Sequence, residues 1–253
     1  MSRFGTGLGF NKYNASLWGG GTEIFPANVA NFNGSTSHAE VTNGTLLSNR
    51  TALTISARFN LSTLSQVAVV SEALVGTGSV VNIYVNTDGS MRAQVTGSGD
   101  KYTTAGSIEI DTDYHILMEY SASTFINMEI NRVQKLNATT GIPSSTGSVS
   151  GSRLLVGATG TASSEPIPFN GDLFKVEIFD RILTTDEKLL LNGLVSKCYE
   201  LYTQDMKDDC ILASPQYNHA GFIGQEFTDQ TGINTITPTD IAFTGSAHIE
   251  CEA

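Results

Sequence analysis

The feature that most constrains this chain is a strict two-residue alternation on both sides of one short turn. Val81, Ile83 and Val85 alternate with Asn82, Tyr84 and Asn86; after Thr87-Asp88-Gly89 come Met91, Ala93 and Val95, alternating with Arg92, Gln94 and Thr96. Side chains on a strand point to opposite faces in turn, so each run has one apolar and one polar face. A three-residue loop with Gly89 in the left-handed conformation pairs Val85 with Met91, Tyr84 with Arg92, Ile83 with Ala93 and Asn82 with Gln94. Apolar then meets apolar and polar meets polar, whereas a two-residue loop would set Val85 against Arg92. An antiparallel sheet with one apolar face must bury that face against another layer, so the chain is read as a layered, strand-rich fold.

The same alternation runs through Leu53, Ile55, Ala57 and Phe59, read as a strand buried on one face only, and further strands are read at 116–120, 125–133, 154–157 and 173–179. A short helix starts at Thr184-Thr185-Asp186-Glu187: Thr184 is the N-cap, Glu187 completes a capping box, and Leu190, Leu191, Leu194 and Val195 form an apolar stripe expected to close the end of the sandwich. Gly, Ser, Thr and Asn make up 96 of the 253 residues, which suits a strand- and loop-rich chain, and the 40% of hydrophobic residues exclude general disorder. Length allows one or two domains. We divide the chain into an extended Gly-rich arm (1–27), a sandwich body (28–197) and a C-terminal extension (198–253), read as an irregular tail or small appended element with a short strand near 241–249.

Charge excludes several functions. Lys and Arg number 14 against 25 Asp and Glu, a net −11, and the basic residues are scattered, so no counterion-displacing surface for nucleic acid or anionic membrane is expected. No apolar run is long enough to span a membrane. The N-terminal stretch lacks a secretory apolar block, so the chain is expected to stay in the cell that makes it or to leave by lysis. Cys198, Cys210 and Cys251 are odd in number and lack zinc spacing, and are read as free thiols, with no metal or cofactor expected.

Four segments, in order, resemble laminin-G-like, concanavalin A-like domains. Asn31-Phe32-Asn33-Gly34, leading into His38 to Val41, resembles the opening strand. The 53–59 run resembles the next strand, with Arg58 where that family often has Trp. Asp113-Tyr114-His115-Ile116 resembles an aromatic-His step into a central strand. Phe169-Asn170-Gly171, the following strand and Asp180-Arg181-Ile182-Leu183 before the capped helix are similar to the closing pattern. The resemblance implies an all-β jelly roll of two antiparallel sheets with one short helix. It also places Phe174 where some members carry a calcium-organising Asp, which argues against a family-type calcium site.

Several constellations fail as catalytic sites. Glu109-Ile110-Asp111-Thr112-Asp113 nearly matches the E-x-D-x-E signature of related glucanases, but Asp113 is one methylene short, and a solvated turn is the expected reading. His38, His115, His219 and His248 accompany no nucleophile-elbow signature, and His115 is read as a hydrogen-bonded core-edge residue. Asp205, Asp208 and Asp209 lack the ligand alternation of a calcium loop.

The candidate binding site is the polar face of the hairpin: Tyr84 as an exposed aromatic platform beside Arg92, framed by Asn82 and Gln94. Phe4, Phe10, Tyr13 and Trp18 in the arm are read as assembly anchors. The resulting expectation is a non-enzymatic bacteriophage virion protein, a head decoration or tail component. Its arm would engage other virion proteins, its copies would form a homo-oligomer, and its lectin-like domain would meet host surface glycan. The alternatives are an independent carbohydrate-binding module or adhesin, and then a glycoside hydrolase.

Overall fold

The computed structural model describes residues 29–74, 78–159, 168–191, 202–214, 229, 231–239 and 241–244. Its elements are β1 (Val29–Asn33), β2 (His38–Val41), β3 (Ala52–Leu61), β4 (Val67–Leu74), β5 (Gly78–Val85), β6 (Met91–Val95), β7 (Asp100–Tyr102), β8 (Asp113–Ser121), β9 (Phe125–Ile130), β10 (Val133–Ala138), β11 (Arg153–Val156), β12 (Asn170–Phe179), α1 (Thr185–Leu191), α2 (Gln204–Asp209), β13 (Cys210–Ser214), β14 (Ile236–Thr239) and β15 (Ala242–Thr244). The strands form two antiparallel sheets in a jelly-roll-like sandwich. The first has the order β10-β9-β8-β3-β12-β1-β15, with β13 also on β12; the second has the order β14-β2-β11-β4-β5-β6-β7.

The register read from the hairpin is the one observed, from Val85 opposite Met91 to Asn82 opposite Gln94, with Gly89 at φ 72°. The inner faces of both sheets share one core. Phe32 and Phe59 each meet the Phe169 ring edge-on at 5.7 Å, the geometry that the aromatic quadrupole favours. The 125–133 stretch is two strands. Asn131 and Arg132 take φ 48° and 68°, a two-residue turn that pairs Val133 back onto Ile130. Asn tolerates that conformation, but the Arg after it gives none of the Asn-Gly signal by which such a turn is recognised.

Part of the outer face of the first sheet is covered by a second small core, which corrects two expectations. Leu191 of α1 joins Leu117, Phe179, Leu183, Tyr202, Met206 and Cys210 in that core, so the helix packs on the sheet's outer face and not on the end of the sandwich. Thr54 and Ser56 are consequently buried, and β3 is covered on both faces there. The capping box forms as read: the Glu187 amide donates to Thr184 Oγ1 at 3.3 Å and the Thr184 amide to Glu187 Oε2 at 2.8 Å. Arg181 ties this region together through Glu187 Oε2 at 2.6 Å and Asp209 Oδ2 at 2.7 Å. Those bonds hold the Glu187 carboxyl down at about 2.

Three strands come from the stretch read as an extension. The segments β13, β14 and β15 pair with β12, β2 and β1 respectively, so both sheets draw on it. The last falls within the strand read near 241–249, whereas the brevity of β13 and β14, and Pro238 within β14, leave no alternation long enough to read as a strand.

Candidate functional site

The four residues chosen from the hairpin do come together on the outer face of the second sheet, because their inner-facing neighbours Val81, Ile83, Ala93 and Val95 all enter the core. Their accessibility is not as expected. Asn82 is fully buried; it accepts from Ser71 Oγ at 2.6 Å and donates to Gln94 Oε1 at 3.0 Å. Tyr84 is only 5% exposed: the Arg92 guanidinium carbon stands 4.1 Å over its ring centroid, and its hydroxyl donates to Thr159 Oγ1 at 3.3 Å. The cross-strand partner thus covers the platform, since a guanidinium gains from lying on an aromatic face. Alternation identifies the face on which a side chain lies, not what rests upon it.

The accessible part of this ladder lies one strand nearer the sheet edge. Register carries Tyr84 and Arg92 across to Tyr102, and Asn82 and Gln94 across to Asp100. Tyr102 is 50% exposed, and its hydroxyl donates to Asp100 Oδ2 at 2.9 Å, the same oxygen that Arg92 Nη1 reaches at 3.3 Å. The result is an open aromatic ring beside a fixed carboxylate and a propped guanidinium, with Gln94 alongside. Sequence reading missed Tyr102 and Asp100 because β7 has only three residues, too few to show alternation.

The remaining candidates are placed as follows. Glu109 to Thr112 form an exposed turn with Asp111 at φ 54°, so the residues resembling a glucanase signature do not line one strand face; Asp113 opens β8 and accepts from Asn60 Nδ2 at 2.8 Å. His115 Nε2 lies 2.9 Å from Ser56 Oγ. Phe174 lies at a bulge in β12 with the Arg58 guanidinium carbon 5.5 Å over its ring. Among the described residues no group of three or more His, Cys, Asp or Glu is arranged to hold a metal. Asp205, Asp208 and Asp209 belong to α2. Cys210 is a free buried thiol whose pKa burial pushes well up. Phe4, Phe10, Tyr13 and Trp18, with the whole of 1–27, lie outside the described residues, as do Cys198, Cys251, His219 and His248.

Comparison with known proteins is consistent with this architecture. Residues 33–187 match the family model described as the concanavalin A-like lectin/glucanases superfamily. Among solved structures, a candidate carbohydrate-binding protein from Bacteroides ovatus aligns with a TM-score of 0.62 at 17% identity, over 91% of this chain and 63% of its own length. The heptameric SAP-like pentraxin of Limulus polyphemus aligns at 0.53 and 16%, over 90% and 98% of the two chains. The CBM40 of the Ruminococcus gnavus IT-sialidase, solved with α2,3-sialyllactose, aligns at 0.52 and 11%, over 64% and 97%. At these identities the likeness is one of fold. No curated protein matches the chain.

Proposed function

Because the chain belongs to the concanavalin A-like lectin/glucanases superfamily, we propose that it is a non-enzymatic glycan-binding module that holds its ligand on the outer face of the second sheet. The observation that carries this reading is the half-exposed Tyr102 ring, hydrogen-bonded through its hydroxyl to an Asp100 that Arg92 also engages. A sugar ring presents apolar C–H faces and an equatorial belt of hydroxyls. The first matches an exposed aromatic face, and the second needs donors and acceptors already fixed in place. Arg92 meets that need because the buried Tyr84 ring holds it, so Tyr84 serves as a positioning residue and not as the contact surface.

Affinity electrophoresis through gels containing soluble polysaccharides tests this. Wild-type migration is retarded in at least one gel; Tyr102→Ala weakens the interaction about tenfold or more, the range of a central aromatic anchor; Tyr84→Phe, which keeps the ring under Arg92, retains it. Equal retardation of wild type and Tyr102→Ala would remove the site.

Assembly into a virion through the 1–27 arm, with homo-oligomeric display to host glycan, is the finer form of this proposal. It rests on the arm's glycines and aromatic anchors as sequence. Multiple copies would raise avidity without any new contact. Size-exclusion chromatography with light scattering on the full chain and on a chain lacking 1–27 tests it. An oligomer lost with the arm supports assembly, and a monomer in both forms removes it.

A further inference from the structure

The outer face of the first sheet, on the opposite side of the sandwich from Tyr102, is divided in two. One part is covered by the small core around Leu117, Phe179, Leu191 and Met206. On the other part, register across β8, β3, β12 and β1 sets four short polar side chains in a row: Asp113, Asn60, Asp172 and Asn31. All four point outward, since their neighbours Tyr114, Phe59, Leu173, Ala30 and Phe32 enter the core.

The row is fixed in pairs. Asn60 Nδ2 donates to Asp113 Oδ1 at 2.8 Å, and Asn31 Nδ2 donates to Asp172 Oδ1 at 2.9 Å. Arg58, next to Asn60 on β3, lies over Phe174 and places Nη2 3.9 Å from Asp113 Oδ2. The side chains are half-buried, so the sheet holds them more firmly than it would solvated surface groups. Each pair also leaves valences free: among the described residues Asp172 Oδ2 and the side-chain oxygens of Asn31 and Asn60 have no hydrogen bond, and each amide has a second N–H.

This arrangement selects a class of ligand. Acceptors and donors alternate along the row, as on a chain of hydroxyl groups, each of which both donates and accepts. Arg58 offsets one of the two carboxylates, so an anion gains little, and among the described residues no group of three or more His, Cys, Asp or Glu is arranged here to hold a metal ion. At about 4.8 Å between strands the row runs about 14 Å, enough for several sugar rings laid across the strands. We propose that it is a second glycan-binding site, for a neutral oligosaccharide, and that the molecule therefore holds two glycans on opposite faces. The site does not depend on the Tyr102 cluster.

The test is a titration of the ¹⁵N-labelled full chain, followed at the side-chain amide resonances of Asn31 and Asn60. The probes are methyl glycosides of glucose, galactose, mannose and N-acetylglucosamine and the disaccharides built from them. Both amides shift saturably with at least one probe, in wild type and in Tyr102→Ala alike. Asp172→Asn, which keeps the shape and removes the charge, weakens that response about tenfold; Asn31→Ala does so at Asn60 and serves if Asp172→Asn loses the dispersed spectrum of a folded chain. Amides that stay in place with every probe overturn the second site while leaving the Tyr102 reading intact. A response that disappears in Tyr102→Ala overturns it as well, because it assigns the binding to one site.

Discussion

Gly171 takes φ 142°, and a Cβ there would lie 2.1 Å from the Asn60 carbonyl oxygen, in the strand pair that carries the polar row. Neither the conformation nor the space accommodates a side chain, so Gly171→Ala is expected to destabilise the fold by about 1–3 kcal/mol, read as a lower midpoint in urea. An unchanged midpoint would contradict the packing described. Phe59, fully buried between Phe169 and Tyr114, is a second such position. Phe59→Ala is expected to cost about 3–5 kcal/mol in the same measurement. The hairpin shows how far single residues are legible. Its pairing follows from Gly89 and the alternation, yet the burial of Tyr84 under Arg92 does not. Nor does the meeting of Asn31 with Asp172, or of Asn60 with Asp113, because those partners lie far apart in the chain and only register joins them.

Among the elements, α1 is the one whose start is written locally and whose position is not. The capping box can be read from four consecutive residues, while the Leu stripe states only that one face needs a cover. The sheet supplies Leu117 and Phe179 as that cover and two carboxylates as an anchor: Lys188 Nζ lies 3.1 Å from Glu119 and 3.4 Å from Glu129. Burial pushes the Glu119 pKa up, and Lys188 pulls it back. Glu187 sets the acid response of this element. Its folded pKa, about 2, lies below the ordinary 4.5, so its stabilisation is fully present above about pH 4.5 and is lost as pH falls towards 2. In Glu187→Gln, stability measured by denaturant unfolding between pH 5 and 2.5 should fall less steeply than in wild type. Parallel curves would show that the Arg181 pair does not contribute.

For the molecule as a whole, the C-terminal strands are part of the sandwich. Leu212 and Ile236 are buried in the main core, and Asn234 Nδ2 donates to the Ile211 carbonyl at 2.9 Å, linking two of the returning segments. A chain ended after Asp209 loses one strand from the second sheet and two from the first, and is expected to be insoluble or to melt without a cooperative transition. A soluble, cooperatively melting product would show that these strands are accessory. The two sheets were legible as alternation and family pattern. Of the returning strands only the last was, as a short strand near 241–249; β13 and β14 were not, because four or five residues carry too little period to be recognised before their partners are known. The same limit hid β7 and with it Tyr102, the residue on which the functional reading now turns. The most direct measurement is therefore binding of the full chain to a broad glycan array, wild type beside Tyr102→Ala. Selective wild-type binding that is lost in Tyr102→Ala and kept in Tyr84→Phe is the predicted result, and a wild-type chain that binds no glycan on the array would contradict the account.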